Sequence, residues 1–448
     1  MILKAKWILP ITSPAIAEGA IKIKNGIICD IGYHKDIIKK HNYETILNFD
    51  NCLLMPGIIN AHSHIAYTAF ENSLNRLPFI EWIKTLTYIK HTILTDNDYQ
   101  VSSLMGILKF LKNGITTIAD TCDSIIPFLT AKKIGIRIIF FVELFGWQKR
   151  IAKENISTTL NIINSIKREC NNLQTIGISP HSPYTVSPFL LNHLAKKLKE
   201  NKLPICMHVA ESKSEHKFFT KKQGDLALLM KGKKRYLPHT YSSTLSYLAT
   251  TDFLQLTPIL IHGSYILNND LQILKKNNLS IIFCPSSNSY FKNRPAPLHL
   301  FSKNNINWGI GTDSTASNHC IDMFEEIKLI KKITKFNFIT PKMLIQKITT
   351  GNATILNLNN KIGSLENGKD ADIIAIKINK KINDEEDLYS ILTNEINSSN
   401  VVFTMIKGRI LYHNNCFKIK ILNNFNNDYI SLRNKIKKEC EIFTHLKS

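Results

Sequence analysis

Two histidines one residue apart, His62 and His64, are the first chemistry met along the chain. Side chains at i and i+2 of a strand leave the same face, so both imidazoles can share one metal ion. Further donors end other apolar runs: His208 follows Ile205-Cys206-Met207, and Asp313 follows Trp308-Gly309-Ile310-Gly311-Thr312. Three neutral imidazoles and one carboxylate suit Zn2+ or Fe2+ better than Mg2+ or Ca2+, which favour all-oxygen shells. Such an ion draws the pKa of a water toward neutrality. Glu211, three residues past His208, falls in the loop above that metal. There a carboxyl can move a proton between water and substrate. His262, at another strand end, can hydrogen-bond the attacking oxygen, or it can be a further ligand in a two-metal site. No strand-end lysine suited to carboxylation and bridging is present, which favours one metal.

These groups need a scaffold that brings them to one place. Eight apolar, strand-like runs end near His62, Asp120, Glu143, His181, His208, His262, Cys284 and Asp313. Between them lie stretches, such as 189–203, with apolar residues at helical spacing. Alternating strands and helices predict a parallel sheet, and eight such units match a (β/α)8 barrel. The C-terminal strand ends of such a barrel carry its active site. The barrel is expected over residues 56–359. Residues 1–55 and 360–425 hold short strands with turns such as Lys24-Asn25-Gly26 and Lys407-Gly408. They predict one small β-sandwich built from both termini. Residues 426–448 read as a peripheral C-terminal helix.

Composition narrows the function classes. The 57 Lys+Arg against 35 Asp+Glu leave a net charge of +22, which first suggests a polyanion partner. The lysines are scattered among Asn and Ile, as an A/T-rich coding bias would leave them. No arginine block and no basic-aromatic platform is present, so no nucleic-acid partner is expected. A basic, non-enzymatic nucleic-acid-binding scaffold is the alternative of another class, and a full metal set with Glu211 speaks against it. No apolar run reaches the ~20 residues of a membrane span. Pro10 and Pro14 make the start a first strand and turn rather than a signal peptide. The 9 cysteines, Cys320 among them, form no C-x-x-C pair, as fits a reducing cytoplasm.

The stretch Met55-Pro56-Gly57-Ile58-Ile59-Asn60-Ala61-His62-Ser63-His64 resembles the opening motif of the amidohydrolase superfamily. His208-Val209-Ala210-Glu211, Ile261-His262-Gly263, Gly311-Thr312-Asp313-Ser314 and the return strand at 363–372 are similar to its later motifs. Within it, the chain looks like the cytosine/adenosine deaminase and chlorohydrolase branch. That resemblance implies one divalent ion, Zn2+ before Fe2+, on His62, His64, His208 and Asp313, with Glu211, His262 and Asp313 catalytic. It implies release of ammonia from the adenine of a 5′-modified adenosine. Glu211-Ser212-Lys213-Ser214-Glu215 and Cys284-Pro285-Ser286-Ser287-Asn288 lean toward aminofutalosine, with methylthioadenosine and S-adenosylhomocysteine next. Guanine deamination and triazine chlorohydrolysis are the alternatives on the same site. A homo-oligomer fits the branch.

Leu77-Pro78-Phe79-Ile80-Glu81-Trp82 resembles a ribose-facing segment, which implies Glu81 and Trp82 at the substrate. Pro180-His181-Ser182-Pro183-Tyr184 resembles a motif whose histidine contacts substrate. A carboxylate on the 5′ substituent calls for a cation, and Arg137 and Arg294 are the candidates. Glu143 and Trp147 can face the barrel mouth or can equally pack and cap. Tyr290 and Phe291 can stack on a base or pack.

Overall fold

The computed structural model describes residues 1–74, 77–200, 203–318, 321–334, 338–420 and 424–445. Cys320 and the last three residues of the expected C-terminal helix lie outside them.

The first four strands are β1 (Ile2–Ile8), β2 (Ile16–Lys24), β3 (Ile27–Tyr33) and β4 (Ile46–Pro56). Eight strands follow, each separated from the next by one or more helices. They are β5 (Ile58–Ser63), β6 (Ile115–Cys122), β7 (Arg137–Leu144), β8 (Gln174–Pro180), β9 (Cys206–Val209), β10 (Ile259–His262), β11 (Ile281–Phe283) and β12 (Trp308–Ile310). The chain then returns through β13 (Ile373–Lys377), β14 (Val401–Ile406), β15 (Arg409–His413) and β16 (Cys416–Phe417).

Strands β5 to β8 form one parallel sheet and β9 to β12 another, each in chain order. Parallel bridges Ile178↔Ile205 and Ser63↔Asp313 link their facing edges at both seams. Buried Asn352 sews the second seam shut. Its amide donates to the carbonyls of Ile59 and Ile310, and its oxygen accepts the N–H of Ile310. The period-two pattern of the strands separates two cores. Ile59, Ala61, Ala119, Ile139, Phe141 and Ile261 pack together in one buried cluster. The alternate residues, such as Ile58, Ile118, Ile138 and Phe140, pack in another with the helices.

The two ends of the chain do meet. They do so in a single eight-stranded sheet, ordered β16-β15-β14-β13-β4-β1-β2-β3, rather than in two separately bonded layers. Strand β4 makes the join, because it pairs parallel with β1 and antiparallel with β13. The expected peripheral helix is also corrected. It spans Phe425–His445 and buries Tyr429, Leu432 and Ile436 in the main core. The Tyr429 hydroxyl donates to the Thr68 carbonyl, and Phe443 stacks on Tyr88 at the cavity described below. No described helix is long and apolar enough to cross a membrane.

Arg137 corrects a second expectation. It opens β7, at the end of the strand away from His62 and Asp313, and is only 2% exposed. Its guanidinium donates to both oxygens of Asp372 at 2.9 and 3.1 Å and to Asp370 at 2.8 Å. It therefore ties the parallel sheet to the return segment and meets no substrate. Arg137→Ala leaves two carboxylates buried without a partner. It should cost about 3–5 kcal/mol in urea unfolding. A change below about 1 kcal/mol, the range of a surface ion pair, would deny it that role.

Candidate functional site

The C-terminal ends of the eight strands open into a cavity of about 590 Å3. His62 lies in β5 and His64 one residue past its end, and their ring nitrogens reach the same donor cluster. The His62 and His208 Nε2 atoms stand 3.2 Å apart, and those of His64 and His208 stand 3.3 Å apart. Asp313 Oδ1 lies 3.7 Å from His62 Nε2 and 3.5 Å from His64 Nε2. Bonds of about 2.1 Å to a tetrahedral ion would place donors about 3.4 Å apart, so the separations fit one metal. The tautomers agree. His64 Nδ1 donates to the Thr121 carbonyl at 2.7 Å, and His208 Nδ1 donates to the His181 carbonyl at 2.9 Å. Their Nε2 atoms are therefore lone pairs that face each other, an arrangement a cation stabilises. Burial, followed by the neighbouring histidines, holds His62 and His208 well below the usual imidazole range.

The local backbone is shaped for this. Ala210, His262 and Asp313 have φ of 53°, 76° and 60°, the left-handed region that costs a side-chain-bearing residue energy. Gly311 has no room for a side chain, since a Cβ there would lie 2.8 Å from the Cβ of His62. The strained turn at Ala210 is pinned by Glu215, which is 1% exposed. Its two carboxylate oxygens accept the N–H groups of Ala210 and Glu211, each at 2.8 Å.

Glu211 and His262 stand beside the donor set, and Asp313 belongs to it. Glu211 lines the cavity, and burial, then Asp313, pushes its carboxyl up to about 8. Asp313 is driven the other way. Burial works to raise it, but His64, His262 and the Ser287 hydroxyl outweigh burial and lower it. Its Oδ2 accepts hydrogen bonds from Ser287 at 2.5 Å and Ser317 at 2.9 Å, which leaves Oδ1 for the histidines. His262 Nε2 is 3.9 Å from Glu211, and its Nδ1 is 3.3 Å from the Asn288 amide oxygen. The nitrogens of His62, His208 and His262 also lie close enough to hold an ion, so the two-metal alternative keeps its geometric basis.

The chain belongs to the amidohydrolase family. The amidohydrolase family model matches residues 53–411, which span every residue of this site. A relative from Carboxydothermus hydrogenoformans, named 5-methylthioadenosine/S-adenosylhomocysteine deaminase, is 24% identical over 92% of each chain. The fold is shared with an adenosine deaminase from Xanthomonas campestris solved with bound zinc, at a TM-score of 0.84, 18% identity and 98% of each chain. It is shared too with aminofutalosine deaminase from Helicobacter pylori, at a TM-score of 0.77 and 18% identity, covering 91% of this chain and 99% of that one.

The expected substrate residues of this amidohydrolase divide. Trp82 and His181 line the cavity. Trp82 donates its indole N–H to the Ala316 carbonyl at 2.9 Å. His181 stacks on Phe145 and is lowered to about 3 by burial, with Lys90 and His64 adding to it. Glu81 does not line the cavity. One step round the helix from Trp82, its carboxylate is 41% exposed and pairs with Lys84 at 3.0 Å. Arg294 is also absent from the wall. It donates to the carbonyls of Ser264 and Ile266 and lies over the Tyr265 ring. Tyr290 and Phe291 pack elsewhere, Phe291 edge-on to Trp82.

Sequence reading missed four cations of the wall, Lys84, Lys90, Lys233 and Arg235, of which Lys90 and Arg235 matter below. Lys90 shares a helix face with Trp82 and Leu86, so a lysine at i+4 and i+8 on an apolar stripe was the available signal. Arg235 lies in an irregular segment, where no periodicity reports direction.

Proposed function

We propose that this amidohydrolase replaces the 6-amino group of the adenine of a 5′-modified adenosine by oxygen, with release of ammonia. The observation that carries the reading is the convergence of three imidazole nitrogens and the Asp313 carboxylate on one point, with the Glu211 carboxyl and His262 beside it in the same cavity. A divalent cation, Zn2+ foremost, held by His62, His64, His208 and Asp313 would supply the Lewis acidity that activates water. Glu211, protonated at neutral pH, gives its proton to the ring nitrogen of the amidine. Asp313, ionised, takes one proton of the attacking water and hands it to the amino group, which leaves as ammonia, while the remaining O–H proton returns to Glu211 as the carbonyl forms. His262 holds the oxygen as it adds to the ring carbon. Residues 56–359 act as a (β/α)8 catalytic barrel, with the ends of the chain as its composite second domain.

Arg235 favours a substrate whose 5′ substituent carries a carboxylate, as in aminofutalosine or S-adenosylhomocysteine. Its guanidinium donates to the Tyr184 carbonyl at 3.3 Å and lies 6.0 Å from the Trp147 ring centre. Among the described residues no carboxylate pairs with it. Arg235→Met should lower kcat/KM for the carboxylated substrates about 10- to 100-fold more than for methylthioadenosine. Equal losses would remove Arg235 from specificity.

Metal-loaded protein should convert 5′-modified adenosines, S-adenosylhomocysteine and methylthioadenosine among them, to their hypoxanthine analogues, read by the shift of the ultraviolet band. An unchanged spectrum with every one of them would sink the reading. The alkaline limb is set by Glu211. Burial raises its pKa, so the acid form persists at neutral pH, and activity should fall as pH climbs through about 8. A rate still rising at higher pH would exclude Glu211 as the acid.

A further inference from the structure

Glu143, the penultimate residue of β7, is a carboxylate with too few partners. It is 6% exposed and lines the cavity. Among the described residues its one cation within ion-pairing reach is Lys90, at 3.6 Å. Lys90 gives its shorter contact, 2.9 Å, to Asp123. The ammonium lies 5.5 Å from the Tyr67 ring centre and 5.8 Å from that of Phe145, in the same cavity wall. Apart from Lys90, no hydroxyl or N–H of the described residues donates to Glu143. A buried carboxylate with one shared donor is costly, and its oxygens face a cavity that a ligand enters.

The neighbouring atoms define what that ligand must offer. A ring nitrogen of His181 and a ring nitrogen of His208 lie within 4.8 Å of Glu143 and of one another. His181 Nδ1 is partnered by the Ser182 and Thr185 hydroxyls, each at 3.1 Å, which fixes its ring. Two carboxyl groups, Asp123 and Glu143, already share the one ammonium here, so a further anionic group finds no donor of its own and belongs at Arg235. A neutral pair of adjacent hydroxyls fits, because two O–H groups on neighbouring carbons can donate to the two oxygens of one carboxylate.

We propose that Glu143, with His181 beside it, is the subsite that takes the vicinal hydroxyls of the nucleoside's ribose, and that Lys90 holds Glu143 in place. The proposal rests on the nucleoside reading above. It moves hydroxyl recognition from Glu81, outside the cavity, to a residue inside it. A second cation on Glu143, His181 and His208 is the competing use of the same atoms, and the Lys90 ammonium opposes it.

The test compares adenosine with 2′,3′-dideoxyadenosine on the metal-loaded protein, by kcat/KM and by calorimetric binding. Wild type should favour adenosine about 10- to 100-fold in both. In Glu143→Gln the preference should fall to within about threefold. Glu143→Asp, which keeps the charge beside Lys90 but withdraws it by one methylene, should lose much of the preference too. A wild-type ratio near one, or a full preference in either variant, overturns the subsite. Two metal ions per chain in wild type would also overturn it, by making Glu143 a ligand. Absence of turnover of either nucleoside would refute the deaminase reading instead, and the binding ratio would still decide the subsite.

Discussion

Glu211→Gln is expected to lower kcat by about 10²–10⁴-fold, the range for loss of a positioned general acid. The amide keeps the shape of the side chain and its place beside His262, but it has no acidic proton for the ring nitrogen. The backbone N–H of Glu211 is held by Glu215, so the turn should survive the exchange. None of the four metal donors is touched. Metal content should therefore stay near that of wild type, and substrate KM should change far less than kcat. Steady-state kinetics with metal analysis on the same preparation checks this. Activity within about threefold of wild type would take the general-acid role from Glu211, since that loss is far short of the range above. Loss of metal with activity would make it a structural residue.

Chelation should have the larger effect. Three imidazole lone pairs and one carboxylate converge within metal-bond geometry, and Lewis-acid assistance is worth several kcal/mol. Removing the ion should cost roughly 10³-fold or more in kcat/KM. One equivalent of Zn2+ or Fe2+ should restore activity to the apoprotein. His208→Ala should abolish that rescue, because the imidazole lies between His62 and His64. Full turnover by metal-free protein would defeat the mechanism.

Much of this site was legible because strand periodicity carries direction. A polar residue at the tip of an apolar run points where its neighbours two residues back point. His208 obeys that rule, since Cys206 packs in the inner cluster, whereas His262 follows Leu260 of the helix-side cluster and has a left-handed φ of 76°. Position along the strand, by contrast, already argues against Arg137, which begins its strand instead of ending it. Its partners Asp370 and Asp372 come more than 230 residues later, and no local pattern announces them. Glu81 fails for a local reason: its carboxylate is drawn to Lys84 of the next helical turn at 3.0 Å and stays 41% exposed, a pairing that a motif match does not report. Arg294 satisfies backbone carbonyls of the loop after β10, a use invisible to spacing. The C-terminal helix was read as peripheral from its polar composition, yet Tyr429, Leu432 and Ile436 form a stripe at i, i+3 and i+7 that packs on the core. The net charge of +22 pointed to a polyanion. The chemistry lies instead in a few acidic and imidazole groups, with Arg235 as the one cation of the wall argued to meet substrate.

Ammonia release by metal-loaded protein across a panel of bases tests the central claim most directly. The panel holds aminofutalosine, S-adenosylhomocysteine, methylthioadenosine, adenosine, guanine and a chlorotriazine. The account predicts stoichiometric ammonia from the 5′-modified adenosines, with the carboxylated ones ahead, and none from guanine or the triazine. Ammonia from guanine alone, chloride from the triazine, or no product from any adenine nucleoside would contradict it.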